Sequence, residues 1–189
     1  MTSALPLGQI ERNFGSSVPI GSSTANGARI NFDGILKTSN ADPQVTQHRA
    51  YIQLYRNGII ETVHSTLIVR SSGTPIIFNL DDTLIYEIMR NLNDLAAVPP
   101  YALLVSLIGV AGARFSFARG QNSRWPDDLS DCLDRDQSHF DEVIFETIPT
   151  THAECARIIR PILDQMANAG GKATSPIFDI QGRYIQARQ

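Results

Sequence analysis

Arg49-Ala-Tyr-Ile-Gln-Leu-Tyr-Arg56, then Asn57-Gly58, then Ile59-Ile-Glu-Thr-Val-His-Ser-Thr-Leu-Ile-Val69 is the stretch that decides the fold. β-Branched and aromatic residues dominate both runs, and Asn-Gly can supply the two positive-φ positions of a type I′ turn. The segment predicts a β-hairpin. With a two-residue turn Arg56 faces Ile59, and alternation then sorts the side chains onto two faces. Ala50, Ile52, Leu54, Ile59 and Val63 form the expected core face. Arg49, Tyr51, Gln53, Tyr55, Ile60, Thr62, His64 and Thr66 form the other, amphipathic face.

Upstream of the hairpin, Ile30 and Phe32 alternate with Asn31 and Asp33, the period-two signature of a strand over 28–36, with Asp33-Gly34 as a bulge or turn. Residues 1–27 are rich in Ser, Gly, Pro, Asn and Thr and predict a flexible or loosely docked arm before a single domain over 28–189. Downstream, Asn79-Leu-Asp-Asp82 opens a helix carrying Leu84, Ile85, Ile88, Met89, Leu92 and Leu95 at helical spacing, ending before Pro99-Pro100. Residues 101–110 and 113–118 predict buried strand, with Gly109 and Gly112 marking a bend or a close backbone approach. Residues 120–139 predict a polar, acidic loop. Residues 140–148 return to strand, with Val143 and Phe145 opposed to Ile144 and Glu146.

Thr151 is placed to cap a final helix while Glu154 reaches back, and Ala156, Ile159, Leu163 and Met166 share one face of it. Pro161 is expected to kink this helix, Gly170-Gly171 to end it, and residues 175–184 to form a docked tail. The order of elements predicts an α+β fold: a mostly antiparallel sheet built around the hairpin, with two helices covering one face.

The chain has 189 residues, 42% of them apolar and 19% charged, which excludes disordered and collagen-like classes. A net charge of −3 argues against a surface that is basic throughout, so any nucleic-acid contact is local. Cys132 and Cys155 are the two cysteines, too few and too far apart for a disulfide framework, and both are expected to be thiols in a reducing compartment. Residues 1–12 lack a basic cluster followed by an apolar stretch, and the most apolar run, 101–113, falls short of the roughly 20 residues that span a bilayer. A cytoplasmic protein without a membrane partner is expected.

Candidate chemistry is sparse. Asp127, Asp128, Asp131, Asp134, Asp136, Asp141 and Glu142 could hold a divalent cation for a metal-dependent nuclease if they converged, but their spacing fits no calcium loop and a solvated acidic loop is the simpler reading. The four histidines form no paired motif, no Gly-x-Ser-x-Gly elbow occurs, and no glycine-rich phosphate loop is present. Cys132 near Arg135 is the sole candidate thiolate, and loop cysteines are ordinarily inert. No catalytic, metal-binding or cofactor-binding residue is assigned, and no cofactor is expected.

One surface remains. Tyr51 and Tyr55, with Arg49, Gln53, Arg56, Thr62 and His64, have a composition able to stack bases and contact phosphates, or to contact a protein partner. The alternative is that the tyrosines pack across the strands.

Tyr51-Ile-Gln-Leu-Tyr-Arg-Asn-Gly-Ile-Ile-Glu61, Ser106-Leu-Ile-Gly-Val110 and Ser175-Pro-Ile-Phe-Asp-Ile-Gln-Gly182 together resemble the region downstream of the Schlafen/AlbA-type domain in bacterial proteins described as DNA-binding or ATP-binding regulators. The resemblance spans roughly 28–185 and carries over no catalytic residue. It implies an accessory module, either a carboxy-terminal piece of such a regulator or a stand-alone relative, that binds a protein partner or itself. Nucleic acid is then contacted through another domain or chain. Direct binding of single strands on the hairpin face and metal-dependent hydrolysis at the acidic loop are the alternatives.

Overall fold

Gly58 sets the geometry of the central hairpin. In the computed structural model, which describes residues 29–39, 49–65, 67–71, 73–95, 99–116 and 129–185, Gly58 has φ +87°, whereas Asn57 is not in the left-handed region. Only one positive φ is available, so the connection is a three-residue loop with glycine at the bulge and not a type I′ turn. The Gly58 amide donates to the Tyr55 carbonyl at 3.0 Å and the Tyr55 amide to the Ile59 carbonyl at 2.8 Å.

Strands β3 (Ala50–Tyr55) and β4 (Ile60–His64) therefore pair one residue away from the expected register, with Leu54 opposite Ile60, Gln53 opposite Glu61, Ile52 opposite Thr62 and Tyr51 opposite Val63. Because side chains alternate, this slip exchanges the faces of β4 and leaves those of β3 unchanged. Ile60, Thr62 and His64 join the aliphatic face, while Ile59, Glu61 and Val63 join the tyrosines.

Strands β1 (Arg29–Ile30) and β2 (Gly34–Thr38) complete a four-stranded antiparallel sheet in the order β1-β2-β3-β4. The expected turn at Asp33-Gly34 is present: Asn31 Oδ1 accepts from the Gly34 amide at 2.8 Å, and Arg56 N–H donates to the Asp33 carbonyl. Ile35, Ile52 and Leu54 form a buried cluster on one side, joined by Ile60. Burial of each such side chain contributes about 1.5–3 kcal/mol. The arm predicted over 1–27 lies outside the described residues.

The rest of the described chain supplies three small sheets and three helices, so the fold is α+β, although the strands are distributed over four sheets and the last helix is divided. The second β-rich run, expected to extend to Val69, ends as β4 at His64, and two further strands, β5 (Ile68–Ser71) and β6 (Thr74–Phe78), form a second hairpin around Gly73, with β9 (Arg114–Ser116) adding to β6 in parallel. Helix α1 (Leu80–Leu95) follows, with Asp81 and Asp82 in its first turn at the positive end of the dipole.

Strands β7 (Tyr101–Leu103) and β8 (Ser106–Ile108) pair with β11 (Val143–Phe145) and β10 (Gln137–His139) respectively. Between these ladders two residues, 104 and 105, face three, 140–142, which is a β-bulge. The segment 101–108 alternates between half-buried and exposed side chains, a correction to the continuous buried strand expected there. A two-stranded ribbon covers only one of its faces. Val143 and Phe145 are buried and Ile144 is exposed, as the alternation predicts.

Thr151 Oγ1 accepts from the Glu154 amide at 3.1 Å, and the Glu154 carboxylate accepts from Thr150 instead of the capping residue itself. The helix begun there does not bend at Pro161 but breaks: α2 (His152–Ile158) stops, Ile159 takes φ −88° and ψ 8°, and α3 (Arg160–Ala169) restarts with Pro161 in its first turn, where its missing N–H costs nothing. Ala156, Ile159, Leu163 and Met166 are all buried. Gly171 ends α3 at φ +77°, and the tail docks through buried Ile177 and Phe178, with Arg160 stacked 4.8 Å above the Phe178 ring.

By contact density the chain divides into two compact units, Met1–Thr66 with Arg90–Ala97, and Leu67–Met89 with Val98–Gln189. No helix among the described residues is long and apolar enough to cross a membrane.

Candidate functional site

The tyrosine face of the four-stranded sheet is the best-formed candidate. Tyr51 and Tyr55 are four residues apart on β3, so they share one face with their Cα atoms about 13 Å apart along the strand. Between them lies Gln53, and directly opposite Gln53 is Glu61. The two phenol hydroxyls converge on one carboxylate oxygen: Tyr51 Oη donates to Glu61 Oε2 at 3.0 Å and Tyr55 Oη at 3.1 Å.

This arrangement perturbs the phenols. Partial burial, reinforced by the hydrogen bond and the negative charge of Glu61, pushes Tyr51 up to about 12. For Tyr55 the hydrogen bond to Glu61 is the larger cause, and its pKa is likewise raised. Both hydroxyls are thus held as neutral donors.

The remaining predicted residues separate. Gln53 lies on the same face but is 5% exposed and fully engaged: its amide pairs with Asn31, and its Nε2 also donates to the Leu54 carbonyl. It braces the sheet instead of meeting a ligand. Arg49 is exposed at the start of β3, with its carbonyl accepting from the Ser65 amide and hydroxyl. Arg56 is turned toward the β1–β2 connection, where its Nε donates to the Phe32 carbonyl at 3.0 Å. Thr62 and His64 stand on the opposite face, carried there by the register slip, and are half-buried. Burial lowers the His64 pKa by disfavouring the imidazolium.

In their place the structure brings Glu61, Ile59 and Val63 to the tyrosines, the last two 57% and 41% exposed. Sequence inspection could have found them only by weighing a three-residue loop against a two-residue turn, because the shift of one residue decides which half of β4 is presented.

The other candidates are less complete. Asp131, Asp134 and Asp136 are exposed, and no three potential metal-ligating side chains converge among the described residues. Asp127 and Asp128 lie outside the described residues. Both cysteines are free: Cys155 is buried, and burial pushes its thiol up to about 12. Cys132 is exposed, and Arg114 rather than Arg135 meets it, Nε to Sγ at 3.2 Å. Ser106 Oγ and His139 Nδ1 are 2.9 Å apart across the β8–β10 ribbon. Among the described residues no carboxylate is hydrogen-bonded to His139, so the pair has the form of a cross-strand contact and not of a triad.

Comparison of the chain with protein-family models, with curated proteins and with solved structures finds no match to any of them.

Proposed function

We propose that this chain is a non-catalytic interaction module that docks a protein partner through the tyrosine face of its four-stranded sheet, and that it serves as an accessory to a nucleic-acid-binding partner domain. The observation that carries this reading is the convergence of Tyr51 and Tyr55 on Glu61, bordered by exposed Ile59 and Val63. Tyrosines held in one orientation supply large contact area at little entropic cost, and aromatic residues are enriched where protein surfaces meet. The resemblance to the accessory region of AlbA-type regulators supports the same assignment.

Direct binding of single-stranded nucleic acid is the second reading, favoured by exposed Arg49 at the head of the strand that carries both rings. A carboxylate held between the two phenols opposes it, since a phosphodiester approaching the rings meets like charge.

The test is a photo-crosslinking amino acid placed at Val63, with a control at Ile108, which is 67% exposed on a different sheet. Specific adducts from Val63 and none from Ile108 are expected. A strict monomer by light scattering, with no adduct from Val63, overturns the assignment. Oligonucleotide binding that weakens steeply with salt and is abolished by Tyr51→Ala would instead establish the second reading.

A further inference from the structure

Glu61 receives both phenols on Oε2, and no hydrogen bond to Oε1 and no basic side chain within 4.0 Å of the carboxylate is found among the described residues. Among the described residues this leaves an exposed, oriented carboxylate between two aromatic rings with its charge unmatched. The natural complement is a cation, and the geometry says which kind.

An ionised carboxylate offers about four lone-pair sites, two on each oxygen. The phenols occupy those of Oε2. A guanidinium binds best by a parallel fork, one N–H to each oxygen, and that mode is blocked. An ammonium needs only one oxygen, donates to Oε1 as a compact point charge, and can place its methylenes against the faces of Tyr51 and Tyr55.

We infer that Tyr51, Tyr55 and Glu61 form a subsite for a primary ammonium, the lysine side chain of a partner protein, in preference to arginine. This inference rests on the proposed docking face and names the chemistry of its partner. Prepaid orientation supports it, because the hydroxyls fix the carboxylate before the ligand arrives and little side-chain entropy is lost on binding.

The experiment is a nuclear magnetic resonance titration of the full chain with Nα-acetyl-lysine methylamide, its Nε-acetylated form and Nα-acetyl-arginine methylamide. Saturable shifts confined to Tyr51, Tyr55 and Glu61 are expected with the lysine probe in the millimolar range, with binding about tenfold weaker for the arginine probe and lost on acetylation. Glu61→Gln preserves the acceptor for the phenols and removes the charge, and should abolish binding. Tyr55→Phe releases one lone pair of Oε2, so it should narrow or reverse the preference for lysine over arginine, a change that a merely structural role for Tyr55 would not produce. No saturable shift with the lysine probe, equal shifts with the acetylated probe, or binding unchanged in Glu61→Gln would each overturn the subsite. If Val63 still cross-links a partner when the lysine probe fails, the docking face stands and the ammonium subsite falls. If neither is seen, both fall.

Discussion

Replacing Gly34 by alanine should open the sheet at the pair on which the tyrosine face is built. Gly34 has φ +152° and lies opposite Tyr55, and a Cβ there would sit 2.0 Å from the Leu54 carbonyl oxygen and 3.1 Å from its carbon. The obstacle is backbone, so no rotamer change relieves it; β2 and β3 must separate by more than about 1 Å to restore van der Waals distance. Separation on that scale forfeits the bonds that tie the two turns together, Arg56 N–H to the Asp33 carbonyl and Arg56 Nε–H to the Phe32 carbonyl, at about 1 kcal/mol each. The positive φ adds about 1–2 kcal/mol of strain for a residue with a side chain. The expected loss is about 3–4 kcal/mol, a large part of a typical domain's stability. Amide hydrogen exchange reads it locally. Leu54 and Ile52 donate toward β2 in this register, so their exchange should accelerate by about two to three orders of magnitude. Acceleration of less than about fivefold would refute the close approach of Gly34 to β3.

Three further outcomes follow from the packing and electrostatics. Thr151→Ala removes the acceptor for the Glu154 amide at the start of a helix only seven residues long, and thermal unfolding should show a loss of about 1 kcal/mol. Alkylation with a maleimide under native conditions near neutral pH should modify exposed Cys132 and spare Cys155, whose thiol is buried and pushed up to about 12; rapid double modification would contradict the packing of α2. His64 has a folded pKa below its unfolded value, so the unfolded chain binds the proton more readily. The stability it contributes is full above about 6.5 and is lost as pH falls through that value toward the lower folded pKa. Denaturation at pH 7.5 and at acidic pH should therefore show a smaller acid-induced loss in His64→Asn than in the parent.

The hairpin was legible because two β-rich runs flank Asn57-Gly58, and its register was not, because the same dipeptide serves two loop geometries. Asn57 does not take a positive φ, and the loop is anchored instead by Arg56, which is bonded to the β1–β2 turn at Phe32 and Asp33. That anchor is a contact between segments more than 20 residues apart, invisible to local pattern. Tyr51 and Tyr55 survive the slip as candidate residues because β3 keeps its faces, whereas Thr62 and His64 are exchanged for Glu61 and Val63. Capping at Thr151 and termination at Gly170-Gly171 were readable from adjacent residues. The break at Ile159 followed from Pro161, but whether the helix would bend or restart depended on the burial of Ile159 and Ile162 on either side. The second hairpin was hidden by its brevity and by Pro75, a residue that argues against strand wherever it occurs.

The affinity of the partner captured through Val63, measured by calorimetry for the parent chain and for Tyr51→Ala and Tyr55→Ala, bears most directly on the docking face. Circular dichroism would establish that each variant retains its fold. A weakening of at least about tenfold in each variant is expected of anchors at the centre of an interface. Affinities unchanged in both would mean that the partner binds elsewhere and that the two tyrosines serve the sheet alone.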